Sequence, residues 1–208
     1  MKNFKLLIIA LLAVGTITSC MKNDYVDDFD YEKEKARIDS TLEAQKDDLA
    51  AYAAEHFSSN MIYNEVTGMY MDTLAAATDR SYNWVVSGNG YNVPKITVKY
   101  TGRLLNGTVF EDASATAQAF LMRPDANINV TNAWIRAFLP RTITINGESQ
   151  VFGMIADGVK KGHKFKFIAP SPYVYDNKER KNSKGEVIVP KDSPVEYTVE
   201  VIDIVDQM

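Results

Sequence analysis

At 208 residues, with 46% apolar and 24% charged side chains, the chain has an ordinary globular composition with room for one domain and an appendage, which argues against disorder throughout. The formal charge of -4 is unevenly placed: residues 21–57 hold 11 acidic against 5 basic side chains, whereas residues 58–208 hold 16 of each. A charge-balanced domain behind an acidic segment lacks the basic footprint that phosphate neutralisation requires, so no nucleic-acid partner is expected.

Lys2 and Lys5 precede an apolar run from Leu6 to Val14, too short to cross a bilayer but fitted to the core of a secretory signal, so export is expected. Ile17-Thr18-Ser19-Cys20 resembles a bacterial lipobox. Residues 1–19 would then be a signal peptide, and Cys20 would carry the lipid that anchors the mature protein to a membrane of the cell envelope. Each buried acyl methylene contributes about 0.8 kcal/mol to such an anchor. Cys20 is the single cysteine and cannot pair internally, and with only His56 and His163 beside it no Cys/His zinc site can assemble. Gly-rich phosphate loops are missing, and neither histidine lies near a nucleophile-elbow pattern. No metal or cofactor is implied.

Residues 20–60 read as an acidic tether followed by a helix, with Ile38, Leu42, Leu49, Tyr52 and His56 near multiples of 3.5 and Ser58-Ser59-Asn60 as its end. Such a stripe serves either as a pairing face for a homodimer or as the underside of a helix lying on its own domain. Its shortness and alanine content favour the second.

From residue 61 the pattern turns to strands. Gly68 to Leu74 reads as a strand and residues 86–90 as a turn. Ile96, Val98 and Tyr100 alternate with Thr97, Lys99 and Thr101, the period of two that sets one face on a core. Asn106-Gly107 predicts a type I' hairpin turn, with Val109 and Phe110 on the returning strand. A further strand is expected over Ala119 to Arg123, then a short helix over Val130 to Leu139 ended by Pro140, with Trp134 in its middle. Ile143 and Ile145 before Asn146-Gly147 predict a second hairpin returning through Gln150 to Phe152. Phe165 and Phe167, then Val195, Tyr197, Val199 and Val201, complete the set. Five or more strands against one short helix imply an α+β domain with an antiparallel sheet.

Val98-Lys99-Tyr100-Thr101-Gly102, followed by Leu105-Asn106-Gly107-Thr108-Val109-Phe110-Glu111, resembles the signature hairpin of FKBP-type peptidyl-prolyl isomerases. Three further resemblances follow in family order: Val130-Thr131-Asn132-Ala133-Trp134 to the V-I-x-G-W helix, residues 162–175 to the G-x-K strand ending in I-P-x-x-x-A-Y-G, and residues 189–194 to the I-P-P-x-x-x loop. The core match spans 88–205 within a domain of 61–208, and residues 141–159 look like an insertion that either overhangs the pocket or lengthens a surface loop.

The resemblance implies an FKBP-like antiparallel half-barrel sheet wrapped around the short helix, preceded here by the N-terminal helix. It also implies a cup for proline-containing polypeptides, with Trp134 as the floor, Tyr100, Phe110, Tyr175 and Tyr197 as walls, and Phe120, Val130 and Val189 at the rim. The tyrosine matching Tyr175 would donate a hydrogen bond to the substrate carbonyl, and the backbone N–H of Thr131 would bind substrate. Glu111 stands where the family has aspartate, and one added methylene displaces the carboxylate enough to reduce activity. The charged run from Asp176 to Glu186 replaces a Gly-rich loop and reads as a solvated flap. Three functions remain in view at the level of sequence: a prolyl isomerase for exported proteins, a binding module or chaperone subunit using the same cup without turnover, and an interaction lipoprotein working through the acidic helix.

Overall fold

A computed structural model describes residues 30–87, 90–123, 130–145 and 148–206. The leader, Cys20, most of the tether and the Asn146-Gly147 pair lie outside the described residues. Two compact units divide the chain: Met1–Glu32, described only from Asp30, and Lys33–Met208, which holds most of the first helix, the sheet and the candidate site.

After helix α1 (Tyr31–His56) come strands β1 (Ile62–Asn64) and β2 (Met69–Ala75) and the two-residue strands β3 (Val86–Ser87) and β4 (Gly90–Tyr91). Strands β5 (Lys95–Leu104), β6 (Val109–Asp112) and β7 (Gln118–Leu121) then lead to helix α2 (Asn132–Phe138). The hairpin of β8 (Thr142–Ile145) and β9 (Glu148–Val151) precedes β10 (Lys164–Ala169), a 3-10 turn (Ser171–Tyr173), the hairpin of β11 (Arg180–Lys181) and β12 (Val187–Val189), and finally β13 (Val195–Val205). The main sheet is antiparallel in the order β1-β2-β10-β13-β5-β6, with β7 also pairing with β5. This is the expected α+β fold.

Strand periodicity decides which residues meet which helix. On one face of the sheet, Ile96, Val98 and Tyr100 of β5, Phe165 and Phe167 of β10 and Tyr197 of β13 join one buried cluster with Ala133, Trp134, Ala137 and Phe138 of α2. The neighbouring residue Ile168 points the other way and is buried against Leu49, Ala53 and Phe57 from α1 and the residue after it. The sheet is therefore covered by α2 on one face and by α1 on the other.

Two local expectations are corrected. Gly107 has φ of 86°, but Asn106 has no positive φ, so the turn is not type I'. Gly107 N–H donates to the Leu104 carbonyl and Leu104 N–H to the Thr108 carbonyl, the pattern of a type I turn closed by a glycine bulge, and the β5–β6 register shifts beside it. Asn106 spends its side chain accepting from Thr108 N–H at 3.0 Å. On α1, His56 is exposed rather than on the inward stripe. The helix ends there, and Phe57, whose N–H donates to the Ala53 carbonyl, takes the inward place.

What the periodicity left out of the stripe is Gln45, a buried polar side chain. Its Nε2 donates to Ser171 Oγ and to the Asp192 carbonyl, both at 2.8 Å, while its Oε1 accepts from Ser171 N–H at 2.9 Å. Arg37 adds a two-pronged contact to Asp176, with Nη1 and Nη2 at 3.0 and 2.6 Å from its two carboxylate oxygens. Helix α1 is thus fastened to the chain that follows β10, which carries the candidate site. Replacing Gln45 by Ala strands the buried N–H and hydroxyl of Ser171, each costing roughly 1–3 kcal/mol. We expect Gln45→Ala to lower the urea midpoint at unchanged slope; an unaltered midpoint would show that these bonds are replaced by water at no cost.

Gly102 of β5 faces the cup with no space for a side chain. A Cβ there would lie 2.7 Å from the Phe110 ring and 2.9 Å from that of Tyr197. Since β5 is paired on both sides, the rings rather than the strand must shift. Overpacking of this kind costs typically about 1–3 kcal/mol. Gly102→Ala is expected to destabilise the fold by that amount in chemical unfolding and to change Trp134 fluorescence, whereas a neutral result would mean the rings give way freely.

Candidate active site

Trp134 lies in the middle of α2 and is 1% exposed. Its indole meets Tyr100 and Tyr197 edge-on at 5.2 Å each and Phe120 at 6.3 Å, while Phe138 stacks beneath it at 5.6 Å. Edge-to-face contacts are the arrangement that aromatic quadrupoles prefer. Phe110 extends the group outward, 5.7 Å from Tyr197 and 6.1 Å from Tyr175. Six aromatic residues named from the sequence are therefore in one continuous set of ring contacts. Four strands, one helix and one connection deliver them: β5, β6 and β7 from one side of the sheet, β13 beside them, α2, and the chain after β10.

Exposure grades this set. Tyr100, Trp134 and Tyr197 are buried, whereas Phe110, Phe120 and Tyr175 are half-buried and present ring surface to the outside. Val130 and Val189 depart from expectation. Both are buried members of the main cluster rather than rim residues, because they point inward at the start of α2 and at the end of β12. Thr131 stands at the N-cap of α2, yet its hydroxyl makes no capping bond. Among the described residues two buried polar atoms have no hydrogen-bond partner, Thr131 Oγ1 and Trp134 Nε1. Folded chains rarely leave such atoms unpaired, and both belong to α2 and its N-cap.

A polar chain crosses the upper part of the aromatic set. Tyr100 O–H donates to Glu111 Oε1 at 2.7 Å, and Arg180 Nη1 donates to Glu111 Oε2 and to the Tyr175 oxygen, both at 2.8 Å. The hydroxyls of Tyr175 and Tyr197 are 2.7 Å apart. The added methylene of Glu111 is thus accommodated: its carboxylate reaches both Tyr100 and Arg180 with side-chain exposures of only 14% and 21% for the ion pair. The guanidinium also lies 5.2 Å from the Tyr175 ring centroid and 5.7 Å from that of Phe110.

Burial raises the pKa of Tyr175 and, more strongly, that of Tyr197, whose charged form would also face the neighbouring Tyr175 oxygen. Both phenols accordingly remain protonated at neutral pH. Burial weighs against the Arg180 charge, but the Glu111 hydrogen bond and the surrounding phenol oxygens and carboxylate outweigh it and hold the guanidinium protonated. Proton counting follows from these states. Tyr175 oxygen accepts from Arg180, and if it also accepts from Tyr197, its own proton is free for a third partner.

Arg180 was missed by sequence reasoning. It sits in a charged run that reads as a solvated flap, and that reading is corrected here: Asp176 is tied to α1 and Arg180 to the cup. The physical cause is the hairpin, in which Asn182 and Gly185 close a turn and Arg180 is set opposite Val189. Asn182 to Gly185 between two short β-compatible segments was the available signal. The insertion is accounted for differently. Its Phe152 ring lies beneath Arg136 at 4.6 Å, its Phe152 and Gly153 carbonyls accept from Asn64, and Ile155 helps line a separate cavity.

No curated protein matches this chain. Among solved structures, a peptidyl-prolyl cis-trans isomerase from Pseudomonas syringae pv. tomato is 19% identical, over 82% of this chain and 96% of its own, with a TM-score of 0.49. FkpA from Escherichia coli is 15% identical over 99% of this chain and 83% of its own, with a TM-score of 0.48. The family model described as FKBP-type peptidyl-prolyl cis-trans isomerase matches residues 91–202, more than half of the chain, and the protein belongs to that family.

Proposed function

We propose that the chain is an active peptidyl-prolyl isomerase that assists the folding of exported proteins while anchored to a cell-envelope membrane by lipid on Cys20. The observation that carries the catalytic part is the half-exposed aromatic cup over a buried indole, with the Tyr175 hydroxyl fixed at its edge by Arg180. Rotation about an Xaa-Pro bond must break amide resonance against a barrier of ~18–20 kcal/mol. The planar amide is more polar and better solvated than the twisted one, so a dry aromatic enclosure disfavours the ground state more. Lowering the barrier by about 5 kcal/mol gives an acceleration of roughly a thousandfold to ten-thousandfold.

In this mechanism the prolyl ring enters among the half-buried rings of Phe110, Phe120 and Tyr175, above the buried floor of Trp134 and Tyr100, and Tyr175 O–H donates to a substrate carbonyl. Glu111 acts by positioning: with both carboxylate oxygens occupied, it holds Tyr100 and Arg180 rather than attacking anything. Phe120 shapes the rim, Val130, Val189 and Tyr197 back it from the core, and Thr131 stands at the N-cap of α2. No proton transfer is required.

A second reading keeps the cup as a binding module for proline-containing or unfolded segments without turnover. The position of Arg180 across Phe110 and Tyr175 favours it, because a prolyl ring stacking on either residue must share that surface with the guanidinium. A pairing role for α1 is less favoured, since the inward stripe is already occupied by the sheet.

Exchange on an Xaa-Pro peptide separates the two. Wild type should accelerate exchange well beyond buffer, Trp134→Phe should remove most of that, and Tyr175→Phe should cost about tenfold, the worth of one hydrogen bond of roughly 1.5 kcal/mol. Peptide binding with no acceleration by wild type leaves the binding module and ends the enzyme reading. For the anchor, cells fed labelled palmitate should label the wild-type protein and not Cys20→Ala; equal label in both removes Cys20 as the lipid site.

A further inference from the structure

Away from the cup, the connection after β2 and the chain leading into β10 enclose a cavity of about 560 Å³. Its lining includes Arg80, Trp84, Asp157, Lys160 and His163. That volume falls within the range of small-molecule sites, roughly 300–1,000 Å³, and is far larger than a bare inorganic ion needs.

The walls are firmly built. Thr78 and Asp79 N–H both donate to the Lys161 carbonyl, at 3.1 and 3.3 Å, and fasten the segment carrying Arg80 to the turn before β10. Trp84 Nε1 donates to the Val159 carbonyl at 3.0 Å. The indole lies directly on Gly158, where a Cβ would come within 2.4 Å of it; with φ of 71° that residue is suited to glycine on both counts.

Cationic donors outnumber the carboxylates of this lining. Lys160 is 6% exposed; its ammonium donates to the Tyr82 carbonyl and, among the described residues, forms no ion pair. Arg80 likewise makes no ion pair among them. Buried charges are ordinarily paired; here Asp157 offsets Lys160 through space without an ion pair among the described residues, while Arg80 adds a second positive charge. His163 is also 6% exposed, and its Nδ1 accepts from Lys160 N–H at 3.0 Å. That bond fixes the neutral tautomer with the proton on Nε2, which makes the outer edge of the ring a donor. Burial, then Arg80, then Lys160 depress the His163 pKa, as expected where positive charge accumulates. Asp157 is the one acidic residue of the lining, against Arg80 and Lys160.

We propose that this cavity binds a small organic anion, a carboxylate or phosphate group carried on an apolar or aromatic body. The anionic group is received by Lys160, Arg80 and His163 Nε2–H, and the body lies along the apolar part of the lining, Trp84, Pro140 and Ile155. Charge-assisted bonds from Lys and Arg provide the affinity, and the aromatic wall distinguishes an organic anion from an inorganic one. The site is independent of the isomerase reading, which concerns other residues.

The test uses the full chain titrated with phenyl phosphate, phenylacetate, inorganic phosphate and benzyl alcohol, following the imidazole resonances by NMR. The chain has two histidines, and exposed His56 on α1 is the internal control. A saturable shift at His163 and not at His56 is expected with at least one aromatic anion; which one responds distinguishes phosphate from carboxylate. Arg80→Gln and Lys160→Met should each weaken it by at least about tenfold, the effect of losing one hydrogen bond to a charged group. Arg80 is exposed, so Arg80→Gln remains informative even if Lys160→Met fails to fold. Absence of a saturable His163 shift, equal affinity for benzyl alcohol, equal affinity for inorganic phosphate, or an unchanged affinity in Arg80→Gln overturns the proposal.

Discussion

The buried indole of Trp134 is the constraint around which the domain is arranged. Packing one face on Phe138 and both edges against Tyr100 and Tyr197 requires β5 and β13 to be neighbours and α2 to lie across them, which the observed register provides. Among the described residues its N–H has no partner, and neither has the hydroxyl of Thr131 one helical turn before it. Each such group costs roughly 1–3 kcal/mol in a core. A chain selected for stability alone would fill that position with phenylalanine. Tryptophan offsets that cost by its size, since one indole touches Tyr100, Tyr197, Phe120 and Phe138 together.

The upper half of the cup is governed by a different force. Phe110 and Tyr175 are half-exposed, and apolar burial alone would not fix their rotamers. The chain Tyr100–Glu111–Arg180–Tyr175–Tyr197 holds Tyr175 and sets the guanidinium over Phe110, because Glu111, Arg180 and Tyr175 each meet two partners along it. The carboxylate and guanidinium neutralise each other where water is scarce, so neither is left as an isolated charge. Removing one would leave the other partly buried and unpaired, which is the costly case for ion pairs. The same segment is held from outside by α1, through Arg37 on Asp176 and Gln45 on Ser171 and Asp192. The N-terminal helix therefore bears on the site through the loop it secures, without contributing a ring to it.

Much of this was legible in the sequence because strand alternation and a buried helix follow directly from the spacing of apolar residues. Ile96-Val98-Tyr100 and Val195-Tyr197-Val199-Val201 define paired strands with their inward faces assigned, and the tryptophan helix ends where Pro140 requires. The six cup aromatics come together as expected. The failures share a cause: they depend on polar side chains and turn geometry, which leave no period. Gln45 looks like a surface residue until the backbone groups it must satisfy are known. Arg80, Lys160 and Arg180 each look like solvated charges, since nothing local distinguishes a lysine facing water from one facing a cavity. Asn106 fits two turn types equally, and only the backbone angle separates them.

The two hollows of the domain illustrate how differently a fold can employ charge. In the cup, opposite charges are matched, with Glu111 and Arg180 closing a network that leaves a neutral, mostly aromatic surface. In the cavity before β10, Lys160 and Arg80 outnumber the single carboxylate of Asp157 and make no ion pair among the described residues, and a histidine is held as a neutral donor. Strand β10 joins the two regions, beginning one residue after His163 and ending one residue before Pro170, which starts the chain leading to Tyr175. Six residues of paired strand, fixed on both sides by β2 and β13, keep the hollows in a constant relation. Coupling between sites requires an element with two arrangements, and a central strand hydrogen-bonded along both edges is the part of a sheet least able to supply one. The matched hollow and the unmatched one are therefore best regarded as separate devices on one rigid frame, the first suited to an uncharged prolyl segment and the second to an anion.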